Sequence, residues 1–239
     1  MTGFDKIRWA EKGFAYQYLE TADIRVVERR RLLAIVQSFY RHFLGKKQSV
    51  LDLGCGDGIL THELLKIDGS LSATLVDASE EMLNKAKERL KGFKNIQFIK
   101  ASFQELLRND LLFPDFDFIV SALAIHHLTK DEKKSFFHYI YAHLYTGGYF
   151  VNIEVIRSPT EALEGWYLKL WQEWIIEKQT ALMREGDYVG TIRSYKEKEH
   201  YSKLDTLTDQ LDALKDIGFK DVDCYYKYGL FTMYGGKKY

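Results

Sequence analysis

Apolar positions along the chain fall into two alternating patterns, and together they predict an α/β fold. Short apolar runs such as 49–54 ("SVLDLG") predict strands, whereas apolar residues three or four positions apart, as in 59–67 ("ILTHELLKI"), predict helices. Five strand-like segments with helical segments between them follow one another up to residue 157. Strands separated by helices of this length form βαβ crossovers, so we expect a parallel sheet with helices on both faces.

The patterns predict one domain with four parts. These are N-terminal helices over 1–45, the alternating core over 46–157, a helical insertion over 158–204, and a closing helix with two strands over 205–239. The last two strands have no crossover helix between them, so they must pair antiparallel. We therefore expect a Rossmann-like, doubly wound, seven-stranded sheet. It is mostly parallel with an antiparallel last strand, and the insertion forms a helical lid on its carboxyl side, where open α/β sheets bind ligands.

Residues at the boundaries predict where several helices begin and end. The spacing over 24–44 predicts one helix that ends at Gly45. Ser79 is suited to cap the helix that follows the second strand. The pair Gly147 and Gly148 is expected to close the helix before the fifth strand.

Charge and cysteine content exclude several function classes. The 34 basic and 34 acidic residues give a formal net charge of zero, so nothing global favours nucleic acid as a partner. No apolar run approaches the roughly 20 residues of a membrane span. Cys55 and Cys224 are too few for a disulfide framework or a zinc site, so we expect reduced thiols, a cytoplasmic protein and no metal.

A glycine-rich turn directly follows the first predicted strand. In "VLDLGCGDG" (50–58), Gly54, Gly56 and Gly58 alternate with other residues. Glycine adopts positive φ without steric cost and lets the backbone approach a ligand closely. About 20 residues further on, Asp77 ends the second strand, where a carboxylate can accept hydrogen bonds from both hydroxyls of a ribose. The pair predicts a nucleoside cofactor.

The spacing of the glycines and one acid distinguish between two cofactor classes. A dinucleotide site requires G-x-G-x-x-G facing a pyrophosphate, whereas this turn reads G-x-G-x-G. Asp52, two residues before the first glycine, would repel a pyrophosphate. It suits a ligand with positive charge, such as an α-ammonium or a sulfonium, which favours S-adenosylmethionine.

Four segments in order resemble the motifs of the class I S-adenosylmethionine-dependent methyltransferases. They are "VLDLGCGDG", "LVDAS", "FDFIVSALAIHHL" and "LYTGGYFVNIE", within residues 50–154. A lone glycine motif is weak evidence, but four motifs in order at these spacings are strong. The resemblance implies S-adenosylmethionine as cofactor and S-adenosylhomocysteine as product.

The resemblance also implies which residues contact the cofactor. Asp52, Gly54, Cys55 and Gly56 would hold its methionine end, Asp77 its ribose, Ala78 and Met82 its adenine face, and Ala122 and Leu123 would pass close to the sulfonium. Family members often have an acidic residue that receives the adenine amine. This chain departs from that pattern, since Ser102 and then Phe103 stand there.

Three further residues are candidates for acid–base chemistry. His126 and His127 follow the fourth strand and Glu154 ends the fifth, so each could serve as a base where an acceptor loses a proton. The alternatives are hydrogen-bonded scaffold histidines and a solvated carboxylate. The fourth motif lacks the proline-rich, aromatic-ended form of DNA and protein amide methyltransferases. A small-molecule acceptor with O or N as the methylated atom, reached by in-line displacement, is therefore the leading hypothesis.

Aromatic residues are concentrated in the expected lid. The spacing places Trp166 and Leu170, and also Trp171 and Trp174, on neighbouring turns of a predicted helix, where core packing is the more common role. An exposed aromatic face would suit a homodimer, and the same rings could be buried within one monomer. Tyr16 and Tyr18 lie in an N-terminal segment that could close over the cofactor.

The C-terminal half carries a narrower resemblance, to carboxy-S-adenosylmethionine synthases. In those enzymes an arginine of this segment pairs with the extra carboxylate of the modified cofactor, and Arg193 is the nearest match. A surface arginine is the alternative. Synthase-like chemistry and a non-catalytic cofactor-binding module are thus the two competing functional hypotheses.

Overall fold

A seven-stranded sheet forms the centre of the protein. The structure, a computed structural model, describes residues 13–46, 48–109, 111–112, 115–193, 195–197 and 199–239. The strands are β1 Ser49–Leu53, β2 Ser72–Asp77, β3 Ile96–Lys100, β4 Phe116–Ala122, β5 Leu144–Val155, β6 Lys220–Tyr228 and β7 Phe231–Lys237.

The strand order confirms the predicted fold class. The strands lie side by side as β3-β2-β1-β4-β5-β7-β6. β1 to β5 pair in parallel, whereas β7 pairs antiparallel with both β5 and β6. The order reverses direction beside β1, between β1 and β4, and such a switch point is where doubly wound sheets bind ligands. The glycine turn follows β1 at this point.

Nine helices among the described residues surround the sheet. They are α1 Phe14–Arg25, α2 Arg29–Phe43, α3 Ile59–Leu65, α4 Glu80–Arg89, α5 Phe103–Asn109, α6 Lys130–Ala142, α7 Glu161–Ala181, α8 Gly190–Arg193 and α9 Leu207–Ile217. One apolar cluster joins α2, α3 and α4 to one face of the sheet, and a second joins α5, α6 and α9 to the other face. This gives the expected three layers.

A third apolar cluster forms a roof over the carboxyl ends of the central strands. It includes Ile24 of α1, Trp171 and Trp174 of α7, and the partly buried Leu123, which directly follows β4. Two indole N–H groups fix α1 to α7. Trp171 donates to the carbonyl of Arg25 at 2.8 Å and Trp174 to that of Ile24 at 3.1 Å. These carbonyls belong to the last turn of α1, where no further helical N–H is available.

Those two contacts accompany a break in the predicted helix over 24–44. The structure ends α1 at Arg25 and begins α2 at Arg29, with Glu28 at φ 52° between them. The single-helix prediction was therefore wrong. Periodicity alone did not reveal the break, because apolar residues continue through it at helical spacing.

The role predicted for Gly147 and Gly148 was also wrong. α6 ends at Ala142 with His143 as its cap, and β5 already begins at Leu144. The two glycines lie inside β5, where the register with β4 shifts between Phe116 and Phe118. A β-bulge accommodates the positive φ of 89° at Gly147.

Candidate functional site

The glycine turn between β1 and α3 has the backbone conformation that its sequence predicts. Gly54, Gly56 and Gly58 have φ values of 68°, 54° and 72°. The amides of Gly54 and Cys55 both donate to the carbonyl of Val76 in β2, at 2.8 and 3.0 Å. A Cβ added at Gly54 would overlap the Cβ of Ala124. The chain passes here too closely to the β4 end for any side chain.

Gly56 differs from Gly54 because the space beside it is open. A Cβ there would meet no atom within 4 Å, and the Gly56 amide donates to Oδ2 of Asp77 at 2.9 Å. The amide of Ser79 donates to Oδ1 of the same carboxylate at 2.8 Å. Each oxygen retains a second lone pair, so Asp77 is oriented and can still accept from two hydroxyls. Burial raises its pKa, and the backbone hydrogen bonds oppose that shift.

Asp52 is a buried carboxylate directly beneath the turn. It is 1% exposed and accepts a hydrogen bond of 2.7 Å from the Thr61 hydroxyl. Burial raises the pKa of Asp52 to about 7, with smaller upward contributions from Asp77 and Asp57 and opposing hydrogen bonds from Thr61. An isolated buried carboxylate is unfavourable, so a cation bound beside it would be strongly stabilised.

The residues expected at the adenine face lie around the start of α4 and α5. Met82 is buried and donates its amide to the Ser79 hydroxyl at 3.4 Å, which caps α4 as predicted, and Ala78 is half-buried. The Phe103 ring is half-buried, with its centre 4.4 Å from that of Phe136. Its Cζ lies 3.3 Å from the position a Cβ would take at Gly54, so Phe103 does reach the glycine turn.

Ser102 caps α5 through a reciprocal pair with Glu105. Its hydroxyl and amide donate to Oε2 of Glu105 at 2.8 and 2.7 Å, and the Glu105 amide donates back to the hydroxyl at 3.3 Å. This is a capping box, whose S-x-x-E signature is visible in the sequence. The Ser102 hydroxyl is thus already engaged within its own helix.

His126 and Glu154 come together behind the β4 end. Nδ1 of His126 lies 2.5 Å from Oε1 of Glu154, and both side chains are buried. The Val155 amide also donates to Oε1, at 3.0 Å, whereas Oε2 has no hydrogen-bond partner among the described residues. The solvated-carboxylate alternative for Glu154 is therefore wrong, because the residue is 0% exposed.

The remaining candidates near β4 lie at the same edge of the sheet. Ala122 ends the strand, and Leu123 follows with φ 54° while its amide donates to the Ile153 carbonyl at 2.8 Å. The half-buried His127 has its ring centre 4.2 Å from that of His126. The positive φ at Leu123 turns the chain sharply at the point where the resemblance expects the sulfonium.

The N-terminal helix extends from the glycine-turn side of the sheet to α7. The amide of Gly13 donates to Glu81 of α4 at 3.3 Å. Burial raises the pKa of Tyr18. The charge of Arg29 lowers this pKa, and the charge of Asp57 in the glycine turn raises it. The Tyr18 hydroxyl therefore lies within electrostatic reach of the turn. The side chain of Tyr16 lies outside the described part of the chain.

Arg193 does not join the other candidates. It ends α8 with its side chain 65% exposed, and its guanidinium is paired with Asp187. No described hydrogen bond or ion pair links Arg193 to the glycine turn.

A separate polar cleft of about 460 Å³ lies between the start of α7 and the turn over Glu199–Lys203, and none of the proposed cofactor residues lines it.

Sequence reasoning missed one charged pair at the turn. Asp57, inside the glycine motif, is buried and pairs with Arg89 at the end of α4, whose Nε also donates to the Asp57 carbonyl at 2.9 Å. The pair ties α4 to the glycine turn. The acid was visible within the motif, but its partner, 32 positions away, carries no local signal.

Among the described residues, no three His, Cys, Asp or Glu side chains form a metal site, and no helix is long and apolar enough to cross a membrane.

Comparison with known proteins gives consistent results. A family model described as a methyltransferase domain matches residues 50–148. A malonyl-[acyl-carrier protein] O-methyltransferase of Halalkalibacterium halodurans is 30% identical over 100 residues, which is 42% of this chain and 37% of that protein. A carboxy-S-adenosyl-L-methionine synthase of Helicobacter pylori is 26% identical over 206 residues, covering 82% of this chain and 77% of the relative.

A solved structure supports the same fold. An O-methyltransferase family protein from Burkholderia thailandensis superimposes with a TM-score of 0.68 at 14% identity, covering 98% of this chain. The chain spans 62% of that protein's length, as it spans 37% of the length of the Halalkalibacterium relative. At this identity the likeness concerns the fold.

The residues at the β1 end fit the cofactor that the resemblance implies. The backbone leaves open space beside Gly56, and two amides orient the Asp77 carboxylate. The Asp52 carboxylate is buried, and its described hydrogen-bond and ion-pair partners include no cationic side chain. Residues 50–148 therefore match a methyltransferase domain, and the order of the strands is that of the same fold.

Proposed function

We propose that this protein transfers a methyl group from S-adenosylmethionine to an oxygen or nitrogen atom of a small-molecule acceptor. The observation that carries the proposal is the arrangement of Gly56 and Asp77. An oriented carboxylate faces a glycine with open space beside it, as a nucleoside site requires. The reduced cysteines and balanced charge are consistent with a cytoplasmic enzyme that acts on small molecules rather than on nucleic acid.

The chain's own residues would position the reactants. Asp77 would accept the ribose hydroxyls, and Asp52 would hold the ammonium end of the cofactor. S-adenosylmethionine supplies a methyl carbon already activated by its sulfonium, so the protein contributes mainly proximity and orientation. The turn at Leu123 and the roof of α1 and α7 would exclude water from the acceptor.

His126 is the proposed base for acceptors that lose a proton. A Glu154 carboxylate accepts a hydrogen bond from Nδ1–H, which leaves the lone pair on Nε2 and stabilises the imidazolium that forms after proton transfer. Acceptors that are already nucleophilic would not need this step. His127 lies beside His126 and would shape the acceptor side of the site.

Mass spectrometry and calorimetry test the proposal directly. We expect the purified protein to release S-adenosylmethionine or S-adenosylhomocysteine on denaturation, or to bind S-adenosylhomocysteine in a titration. Incubation of methyl-labelled S-adenosylmethionine with a panel of small hydroxylated and amino compounds should then yield labelled product. An absence of any cofactor binding would refute the enzyme hypothesis. Binding without turnover of any acceptor would favour a non-catalytic module.

Carboxy-S-adenosylmethionine synthase activity is the second candidate. The relative from Helicobacter pylori supports it because the similarity extends over 82% of this chain, beyond the methyltransferase domain. The pairing of Arg193 with Asp187 counts against it, since that arginine would have to leave its partner to reach a carboxylated cofactor. A released cofactor heavier by one carboxyl group would decide for the synthase.

A further inference from the structure

Arg25, the last residue of α1, has no carboxylate partner among the described residues. Its Nη1 donates a hydrogen bond of 2.9 Å to the Thr191 hydroxyl, and its Cζ lies 5.7 Å from the centre of the Tyr188 ring. Its Nε is shielded from solvent and has no hydrogen-bond partner there. The residue as a whole is half-buried, and a guanidinium in such a place without a carboxylate partner can bind an anion.

The neighbouring arginines differ from Arg25 in this respect. Asp23 accepts hydrogen bonds from Arg29 at 2.7 Å and from Arg30 at 3.0 Å. The Arg30 side chain is 85% exposed and would remain solvated without that partner. Asp23 therefore compensates the charge of both arginines of α2, whereas no described carboxylate pairs with Arg25.

The position of Arg25 relates it to the reaction site. Its backbone carbonyl is held by Trp171, which shares the roof cluster with Leu123 at the β4 end. Burial and the charge of Arg29 have the largest effects on the pKa of Tyr18. The charges of Asp57 and Arg25 have smaller effects on the same pKa. Tyr18 is thus within electrostatic reach both of Arg25 and of the glycine turn.

We propose that Arg25 binds a carboxylate of the acceptor molecule, with Thr191 and Tyr188 holding the guanidinium in place. A guanidinium binds a carboxylate through two parallel hydrogen bonds, which fixes orientation as well as affinity. The roof around it is aromatic and aliphatic. The acceptor class is accordingly a small carboxylic acid with an apolar body. This inference rests on the proposed methyltransferase function.

A structural role alone would make a different prediction. Arg25 also lies at the negative end of the α1 dipole, where a lysine would serve as well. A dipole contact would affect the stability of the protein but not its preference between an acid and its neutral amide. The decisive readout is therefore ligand selectivity.

The test compares matched acids and amides on the 239-residue chain saturated with S-adenosylhomocysteine. The probes are 4-hydroxyphenylacetate, indole-3-acetate and octanoate, each beside its primary amide, in calorimetric titrations. We expect at least one acid to bind 10-fold or more tightly than its amide. Arg25→Met should remove that preference through a loss of about 10- to 100-fold in affinity for the acid, as for other charge-assisted hydrogen bonds. Arg25→Lys should restore only part of it, while Arg30→Met and Arg193→Met should retain it.

Each other outcome overturns the assignment. The inference fails if no acid binds better than its amide, if the preference survives Arg25→Met, or if Arg193→Met removes it instead. A loss of S-adenosylhomocysteine affinity in Arg25→Met with the acid preference intact would assign the carboxylate to the methionine end of the cofactor. Failure of the wild-type chain to bind S-adenosylhomocysteine would instead refute the proposed function, and the present inference with it.

Discussion

Nδ1 of His126 lies 2.5 Å from Oε1 of Glu154, although the two residues are 28 positions apart. His126 belongs to a short 3₁₀ turn after β4, and Glu154 is the penultimate residue of β5. The parallel pairing of the two strands brings Ala122 level with Ile153, which places both groups at the same edge of the sheet. A histidine oriented by a buried carboxylate is the usual arrangement of a general base.

Replacement of His126 should separate catalysis from cofactor binding. We expect His126→Asn to lower kcat by about 10²- to 10⁴-fold with an acceptor that must lose a proton, because a positioned base contributes that much. Affinity for S-adenosylhomocysteine should remain within twofold. Steady-state kinetics and calorimetry on the same preparations measure the two quantities. His42→Asn, an exposed histidine on α2, is the matched control. Full activity in His126→Asn would exclude the histidine as base.

Asp52 should give cofactor affinity and the stability of the ligand-free protein opposite dependences on pH. As the pH rises, affinity should increase and stability should decrease. The pKa of Asp52 is about 7 in the folded protein, against roughly 3.9 for an unperturbed aspartate. Because the folded value is the higher one, the carboxylate causes no loss of stability below pH 4. The loss develops as pH rises towards 7 and is complete above it. In the proposed site the ionised form of Asp52 binds the cationic end of the cofactor, so affinity for the cofactor should rise between pH 6 and 8.

The variant Asp52→Asn tests both directions. We expect it to raise the Tm of the ligand-free protein at pH 8 by several degrees, since about 1 kcal/mol corresponds to 2–4 °C for a chain of this size. The gain should shrink as the pH falls towards 4, and S-adenosylhomocysteine binding should be lost. Thermal melts from pH 4 to 8 provide the measurement, with the exposed Asp212→Asn as control. A lower Tm at pH 8 would contradict the elevated pKa.

Alanine substitutions should distinguish the two roles of glycine in the turn. Gly54→Ala would overlap Ala124 and should severely destabilise the protein, whereas Gly56→Ala meets no atom and should cost only the strain of its positive φ, about 1–2 kcal/mol. Gly56→Ala should nevertheless weaken S-adenosylhomocysteine binding at least tenfold, because the methyl group occupies the open space. Denaturant melts and titrations check this, with Gly92→Ala in a surface turn as control. Unchanged affinity in Gly56→Ala would show that the ligand lies elsewhere.

Local signals explain which features the sequence could predict. The strands, the turn after β1 and the cap at Ser79 depend on patterns of a few residues, and the structure confirms each. The capping box of Ser102 is equally local, because its S-x-x-E signature lies within four residues of the sequence. The partnership of Asp57 with Arg89 depends on how α4 packs against the turn, which no local pattern encodes. The same holds for the bulge at Gly147, which depends on the register between β4 and β5.

The tryptophans of α7 should stabilise the roof through their indole N–H groups. Trp171→Phe retains most of the apolar contact but leaves the Arg25 carbonyl without its hydrogen bond, and a buried unsatisfied acceptor costs about 1–3 kcal/mol. Trp174→Phe does the same at Ile24. We expect each variant to lower the free energy of unfolding in urea by that amount.

The matched control for these variants is Trp166→Phe. Trp166 is on the same helix and is 55% exposed, so its replacement should change the free energy of unfolding by less than about 0.5 kcal/mol. Because the indoles fix the end of α1 that carries Arg25, Trp171→Phe should also weaken the preference for acids over amides, while Trp166→Phe should leave it intact. An equal loss of stability in all three variants would mean that ring size, and not the hydrogen bond to α1, holds the roof together.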